Sequence, residues 1–302
     1  MIKTKIATLK KRLKNGVSPA LATPLLADGV TVNTAVLPQL VNFLLDKGVA
    51  GLFVGGTTGE GILLAPAERM RLHEAAGQAA DGRAPVIVHV GANQMGTAVA
   101  LARHAEQIGV GAIAAVTPWF YGMTDDALAG YYQTIAQAAP QTPLLLYDIP
   151  HMAGNGVSPA LLARLAAELP TFAGMKCSRP DAQMIRQLLD TMPDEAIFLA
   201  GNEAIALGSL AMGADGLITG LSTAVPEPFV SLMAAFSEGN LAEARRWHKI
   251  INQMLAALPA GRRIGAIKQI LAERGIPVGA AVPPRPMPAE PVWPKVQEAM
   301  IE

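Results

Sequence analysis

The sequence predicts a closed (β/α)8 barrel, the TIM-barrel fold, with additional C-terminal helices. Eight short apolar runs carry that prediction: 17–22, 51–55, 85–90, 112–117, 143–149, 172–177, 197–200 and 216–219. Most follow a Gly or Pro, as short buried strands do. Segments with helical spacing lie between them, and strands recur at intervals of roughly 19 to 35 residues, a range that βαβ units occupy. Apolar runs alternating with helices imply a parallel sheet covered on its outer face. Eight such units in about 220 residues fit a barrel. An open doubly wound sheet usually carries fewer units and a glycine fingerprint after its first strand. Here that strand runs into Thr23-Pro24-Leu25-Leu26-Ala27-Asp28-Gly29, which has no GxGxxG.

Taken in order, residues 1–16 form an N-terminal extension. It mixes Lys and Arg with Ile and Leu, lacks the apolar stretch of a secretory signal, and reads as a short solvated helix. After the first strand, 38–48 places apolar residues at i, i+3 and i+4, and Gly48 supplies a C-terminal stop. Further helices are expected at 66–80, 97–108, 125–138, 159–168, 182–190 and 203–212, so the barrel occupies 17–225. Beyond it, 227–258 and 261–273 read as helices, 277–288 is proline-rich, and a last helix covers about 292–301. This region, 226–302, shows no break that would make it independent; it is expected to pack on the barrel as a cap or a subunit interface.

Composition removes several function classes. Lys plus Arg and Asp plus Glu are 24 each, so the net charge is zero and no electrostatic footprint for nucleic acid or a membrane surface exists. No apolar run approaches the roughly 18 residues of a membrane span. The single cysteine, Cys177, cannot form an internal disulfide and argues for a reducing compartment. A soluble cytoplasmic protein is expected. His73, His89, His104 and His248 show no metal-ligand spacing and there is no HExxH, so no metal is expected.

Barrel active sites sit at the C-terminal ends of the strands. The sixth strand ends in Gly174-Met175-Lys176-Cys177. A lysine in an apolar strand either snorkels to solvent or loses its proton through desolvation and becomes an amine nucleophile for Schiff-base chemistry. Tyr147 ends the fifth strand, beside it, and is either a proton relay or a core tyrosine. The second strand ends in Gly55-Gly56-Thr57-Thr58-Gly59-Glu60-Gly61, whose N–H groups and hydroxyls suit a carboxylate, unless the glycines only make a turn. His151 and Met152 follow the fifth strand and could line the mouth. Arg179 could meet an acidic substrate, although an exposed loop arginine is the simpler reading.

Gly56-Thr57-Thr58-Gly59-Glu60, Thr117-Pro118 with aromatics, Tyr147-x-x-Pro150 and Gly174-x-Lys176 stand in an order that resembles the dihydrodipicolinate synthase/N-acetylneuraminate lyase family of pyruvate-linked class I aldolases. The resemblance runs from about Val17 to Arg274. It implies that Lys176 forms an imine with pyruvate or another 2-oxo acid, with no further cofactor. Tyr147 and Thr57 would form the proton relay, while Thr58 with Gly56 and Gly59 would hold the 2-oxo acid carboxylate. Gly201 and Ile218 would lie near bound pyruvate. The partner would be an aldehyde and the assembly a homotetramer. Two departures matter. Phe120 stands where synthases have a tyrosine given to a neighbouring subunit's relay, with Tyr121 adjacent, and Met152 stands where they have an arginine for the aldehyde's carboxylate. The expected activity is therefore a lyase other than a strict lysine-pathway synthase. A 2-keto-3-deoxy sugar acid dehydratase and a non-catalytic 2-oxo acid binding protein are the alternatives.

Overall fold

The computed structural model describes residues 1–301. Eight strands form one parallel sheet: β1 (Val17–Pro19), β2 (Leu52–Val54), β3 (Val86–His89), β4 (Ala112–Val116), β5 (Leu144–Asp148), β6 (Phe172–Cys177), β7 (Ile197–Ala200) and β8 (Gly216–Thr219). From β2 to β8 each strand pairs with its sequence neighbour, and β1 pairs with β8. Between β1 and β2 a parallel bridge joins Ala20 to Phe53, and the Leu21 amide donates to the Phe53 carbonyl at 2.9 Å. The sheet thereby closes as a barrel, as the alternating pattern predicts.

Helices α2 (Leu37–Asp46), α3 (Pro66–Ala80), α4 (Met95–Gln107), α5 (Asp125–Ala138), the single turn α6 (Pro150–Ala153), α7 (Pro159–Glu168), α8 (Ala182–Thr191) and α9 (Ala206–Ala211) follow the strands. Outward strand residues such as Val54, Leu146 and Met175 join the helices' apolar faces in one large core. Inward residues, among them Phe53, Ile87, Leu145, Tyr147, Leu199 and Ile218, form a second cluster that fills the barrel. The expected helix at 203–212 divides into a 3-10 turn, Glu203–Ile205, and α9.

Two expectations need correction. The N-terminal helix α1 (Ile2–Leu13) is not simply solvated. Ile6, Leu9 and Leu13 belong to the barrel-interior cluster, and Lys10 donates to the Asp194 and Ala196 carbonyls at 2.6 Å each. The apolar positions recur at helical spacing, so α1 lays one face on the barrel floor while its Lys and Arg residues reach the rim. The span 227–258 is not continuous: α10 (Glu227–Ser237) and α11 (Leu241–Ala257) are separated at Glu238-Gly239-Asn240, where the Asn240 side chain accepts the Glu243 amide at 3.2 Å as an N-cap. Strand β6 does not alternate regularly. Its pairing with β5 shifts between Leu144 and Leu145, so that Phe172 faces the outer core and Ala173 the interior. Gly174 absorbs the irregularity with φ +138°, and a Cβ there would overlap the Ile197 carbonyl. The bulge sets the register that pairs Lys176 with Tyr147.

Helix α12 (Arg263–Glu273) and helix α13 (Trp293–Ile301) complete the chain. Between them the proline-rich stretch turns back over the loops that follow β1 and β2. The Leu25 amide donates to the Val278 carbonyl at 3.0 Å, and the Val282 amide donates to Glu60 Oε1 at 3.0 Å. No helix among the described residues is long and apolar enough to cross a membrane.

Candidate active site

At the C-terminal mouth of the barrel lies a cavity of about 450 Å³. Lys176 reaches into it from β6 and is 4% exposed. Its Nζ lies 4.0 Å from the centre of the Phe53 ring and 4.2 Å from that of Tyr147. Burial disfavours the ammonium more than the charge of Glu203 favours it, and the pKa falls to about 7. A substantial fraction of neutral amine is therefore present near neutral pH. The stem needs room: a Cβ at Gly201 would overlap Ser178 Oγ and lie 3.2 Å from Lys176 Cε.

Tyr147 is the direct register partner of Lys176 on the adjacent strand. Its ring is fixed by edge-on contacts with Phe53 at 5.7 Å and His89 at 5.9 Å. The phenol shares a hydrogen bond of 2.9 Å with Thr57 Oγ1. Desolvation raises the Tyr147 pKa, with the Thr57 and Ser178 hydroxyls opposing it, so the phenol keeps its proton at neutral pH. A held phenol beside a neutral amine and a hydroxyl can pass protons at a carbon bonded to Nζ.

Thr57 and Thr58 line the cavity. Gly56 and Gly59 do not; they make the loop's shape. A Cβ at Gly56 would overlap the Phe53 ring, and one at Gly59 would lie 2.9 Å from the Leu21 carbonyl oxygen. The loop closes on itself through the Gly61 amide, which donates to the Gly56 carbonyl at 3.2 Å. The glycines thus turn the two threonines toward the cavity without touching it themselves. Glu60 does not line this cavity; it forms a fully buried pair with Lys268 of α12 at 3.0 Å and borders a smaller adjoining chamber.

Of the remaining expected residues, His151, Met152, Gly201 and Ile218 all line the cavity, His151 and Met152 from the exposed turn α6. Phe120 does not. It is 85% exposed at φ +80°, stacked edge-on with the exposed Tyr121 at 5.0 Å. The chain is pulled outward there because Trp119 N donates to Asn93 Oδ1 at 2.8 Å and Asn155 Nδ2 donates to the Pro118 and Tyr121 carbonyls. Arg179 does not line the cavity and is not an exposed loop residue: it pairs with the buried carboxylate of Asp148, which also accepts the Val157 amide at 2.9 Å. That pair ties the loops after β5 and β6 together.

Sequence reasoning missed Ser178, Arg262, Arg263 and Arg285, all of which line the cavity; Glu203, at the end of the seventh strand near Gly201, is a weaker candidate from the sequence and lines it too. Ser178 could have been found by strand alternation, two residues beyond Lys176. The arginines come from the C-terminal region, and no local pattern ties them to the barrel mouth. Glu203 is held by Arg263, and its Oε1 accepts the Leu221 amide at 2.6 Å. Among the described residues no group of three or more His, Cys, Asp or Glu could hold a metal ion.

A model of the dihydrodipicolinate synthetase family matches residues 13–299. The chain is 37% identical over 236 residues to a 4-hydroxy-tetrahydrodipicolinate synthase of Salinibacter ruber, covering 78% of each protein. It is 34% identical over 285 residues to the N-acetylneuraminate lyase of Gallus gallus, covering 92% of this chain and 91% of the relative. The structure of a catalytic lysine mutant of Ruminococcus gnavus sialic acid aldolase superposes with a TM-score of 0.90 at 30% identity, over 96% of this chain and 95% of that one.

Proposed function

Because this chain belongs to the dihydrodipicolinate synthetase family and is a lyase of that family, we propose that it is a class I aldolase acting on pyruvate or a related 2-oxo acid. In this reading the neutral Lys176 amine adds to the keto carbon, and loss of water leaves an iminium. Loss of a proton from the adjacent carbon gives an enamine, whose carbon attacks an aldehyde; hydrolysis then frees the product and the amine. Cleavage runs the same steps backwards. Tyr147, oriented by Thr57, carries protons to and from the carbinolamine and the alkoxide. The amides and hydroxyls of Thr57 and Thr58 hold the 2-oxo acid carboxylate. No metal or organic cofactor enters these steps.

The observation that carries the proposal is the buried Lys176 amine, depressed to about 7, beside a Tyr147 phenol already bonded to Thr57. The enamine step can be watched without knowing the aldehyde, as exchange of pyruvate methyl protons in deuterated water followed by NMR. Below the amine's pKa the ammonium cannot attack. The exchange rate should therefore climb as pH rises through about 7 and level off above it. Tyr147→Phe should slow exchange by roughly 10²- to 10⁴-fold, the usual contribution of a positioned acid or base. No exchange by the wild type would contradict the enamine, and undiminished exchange in the variant would remove Tyr147 from the mechanism.

A further inference from the structure

The C-terminal region gives the cavity three arginines, Arg262, Arg263 and Arg285. Among the described residues lining it, Glu203 is the single carboxylate, and Arg263 with the Leu221 amide already occupies it. Arg285 makes only a long ion pair, at 4.0 Å, with another carboxylate, Glu60. Glu60 is taken by Lys268 at 3.0 Å and by the Val282 amide at 3.0 Å. No described carboxylate forms an ion pair with Arg262, which is exposed at the rim. The cavity thus holds an excess of guanidinium over carboxylate. Positive charge in a concave site concentrates anions, and the planar guanidinium fork matches carboxylate and phosphate oxygens.

Arg285 also lines a smaller, mostly apolar chamber of about 160 Å³ that shares Thr57, Tyr147, Ile149 and Met152 with the first. It therefore stands between the two spaces into which a chain attached at the carbon next to the imine carbon can extend. The Val282–Glu60 hydrogen bond pins the segment that carries it. We infer that the aldehyde partner bears a terminal anionic group, carboxylate or phosphate, bound by Arg285 with Arg262 assisting at the rim. This inference rests on the imine reading, and it assigns the anion site to the C-terminal segment rather than to the position of Met152.

The test pairs charged and neutral aldehydes in condensation with pyruvate: succinic semialdehyde against butanal, and glyceraldehyde 3-phosphate against glyceraldehyde. The charged member of at least one pair should have a kcat/KM about tenfold or more above its neutral partner, as expected for charge-assisted hydrogen bonds. The pair that responds separates carboxylate from phosphate. In Arg285→Met and in Arg262→Met the charged-to-neutral ratio should fall, furthest in the former, through a higher KM for the aldehyde. Equal or better use of the neutral members, or a ratio that survives both substitutions, would overturn the inference. Borohydride trapping of pyruvate, run in parallel, reports the imine separately. Succinate titrated calorimetrically reads the arginines without an imine. It should bind about tenfold more weakly to Arg285→Met, and equal affinity would overturn the assignment.

Discussion

Lys176→Met should give a folded protein whose turnover is lower by roughly 10⁵- to 10⁶-fold, the scale of removing a covalent nucleophile. The same substitution should leave the melting temperature equal or higher. Lys176 is buried against Phe53 and Tyr147, and the charge that favours its ammonium, Glu203, is already engaged by Arg263. Desolvation is thus a cost that the native fold carries for this amine. Methionine has a similar length, no charge, and suits an apolar gap. Calorimetric melting and an aldol assay on the same sample separate a functional lysine from a structural one. An inactive but unfolded variant would leave the role to the trapping experiment below; a stable variant with substantial turnover would refute it.

Lys268→Met should act in the opposite sense, through stability first. It leaves the Glu60 carboxylate in a site with no solvent exposure and without its close ion-pair partner, with only Arg285 at 4.0 Å remaining. Breaking a buried pair from one side costs about 3–5 kcal/mol, which for a chain this long corresponds to a fall in Tm on the order of 5–8 °C. Because Glu60 closes the loop that carries Thr57 and Thr58 and also anchors Val282, pyruvate binding should weaken as well. Glu60→Gln combined with Lys268→Met should recover part of the loss, since the amide is neutral and still accepts the Val282 N–H. A melting temperature unchanged in Lys268→Met would show that the pair does not tie α12 to the loop after β2.

The barrel was legible because its signal is repeated eight times: a short apolar run, a turn residue and a helix-spaced segment. Lys176 and Tyr147 were legible because a polar residue at the end of an apolar strand is costly unless used, and because neighbouring parallel strands end side by side. The threonine loop was legible for its glycines, though those glycines serve the loop's curvature rather than the cavity. What stayed hidden depends on tertiary contact. The β6 bulge needs the Ile197 carbonyl above Gly174 to be seen. Phe120 is turned outward by Asn93 and Asn155, from two separate loops. The Lys268–Glu60 pair and the arginines at the mouth join segments on either side of the barrel, where no periodicity links them. Among residues facing the cavity, those contributed by strands could be read, and those contributed by the C-terminal region could not.

The central claim is the covalent bond between Lys176 and a 2-oxo acid. Incubation with pyruvate and borohydride, followed by intact mass measurement and digestion, tests it directly. A reduced pyruvyl adduct confined to the peptide that contains Lys176, and absent from Lys176→Met, is the predicted result. An adduct on a different lysine, or none on a folded protein, would contradict it.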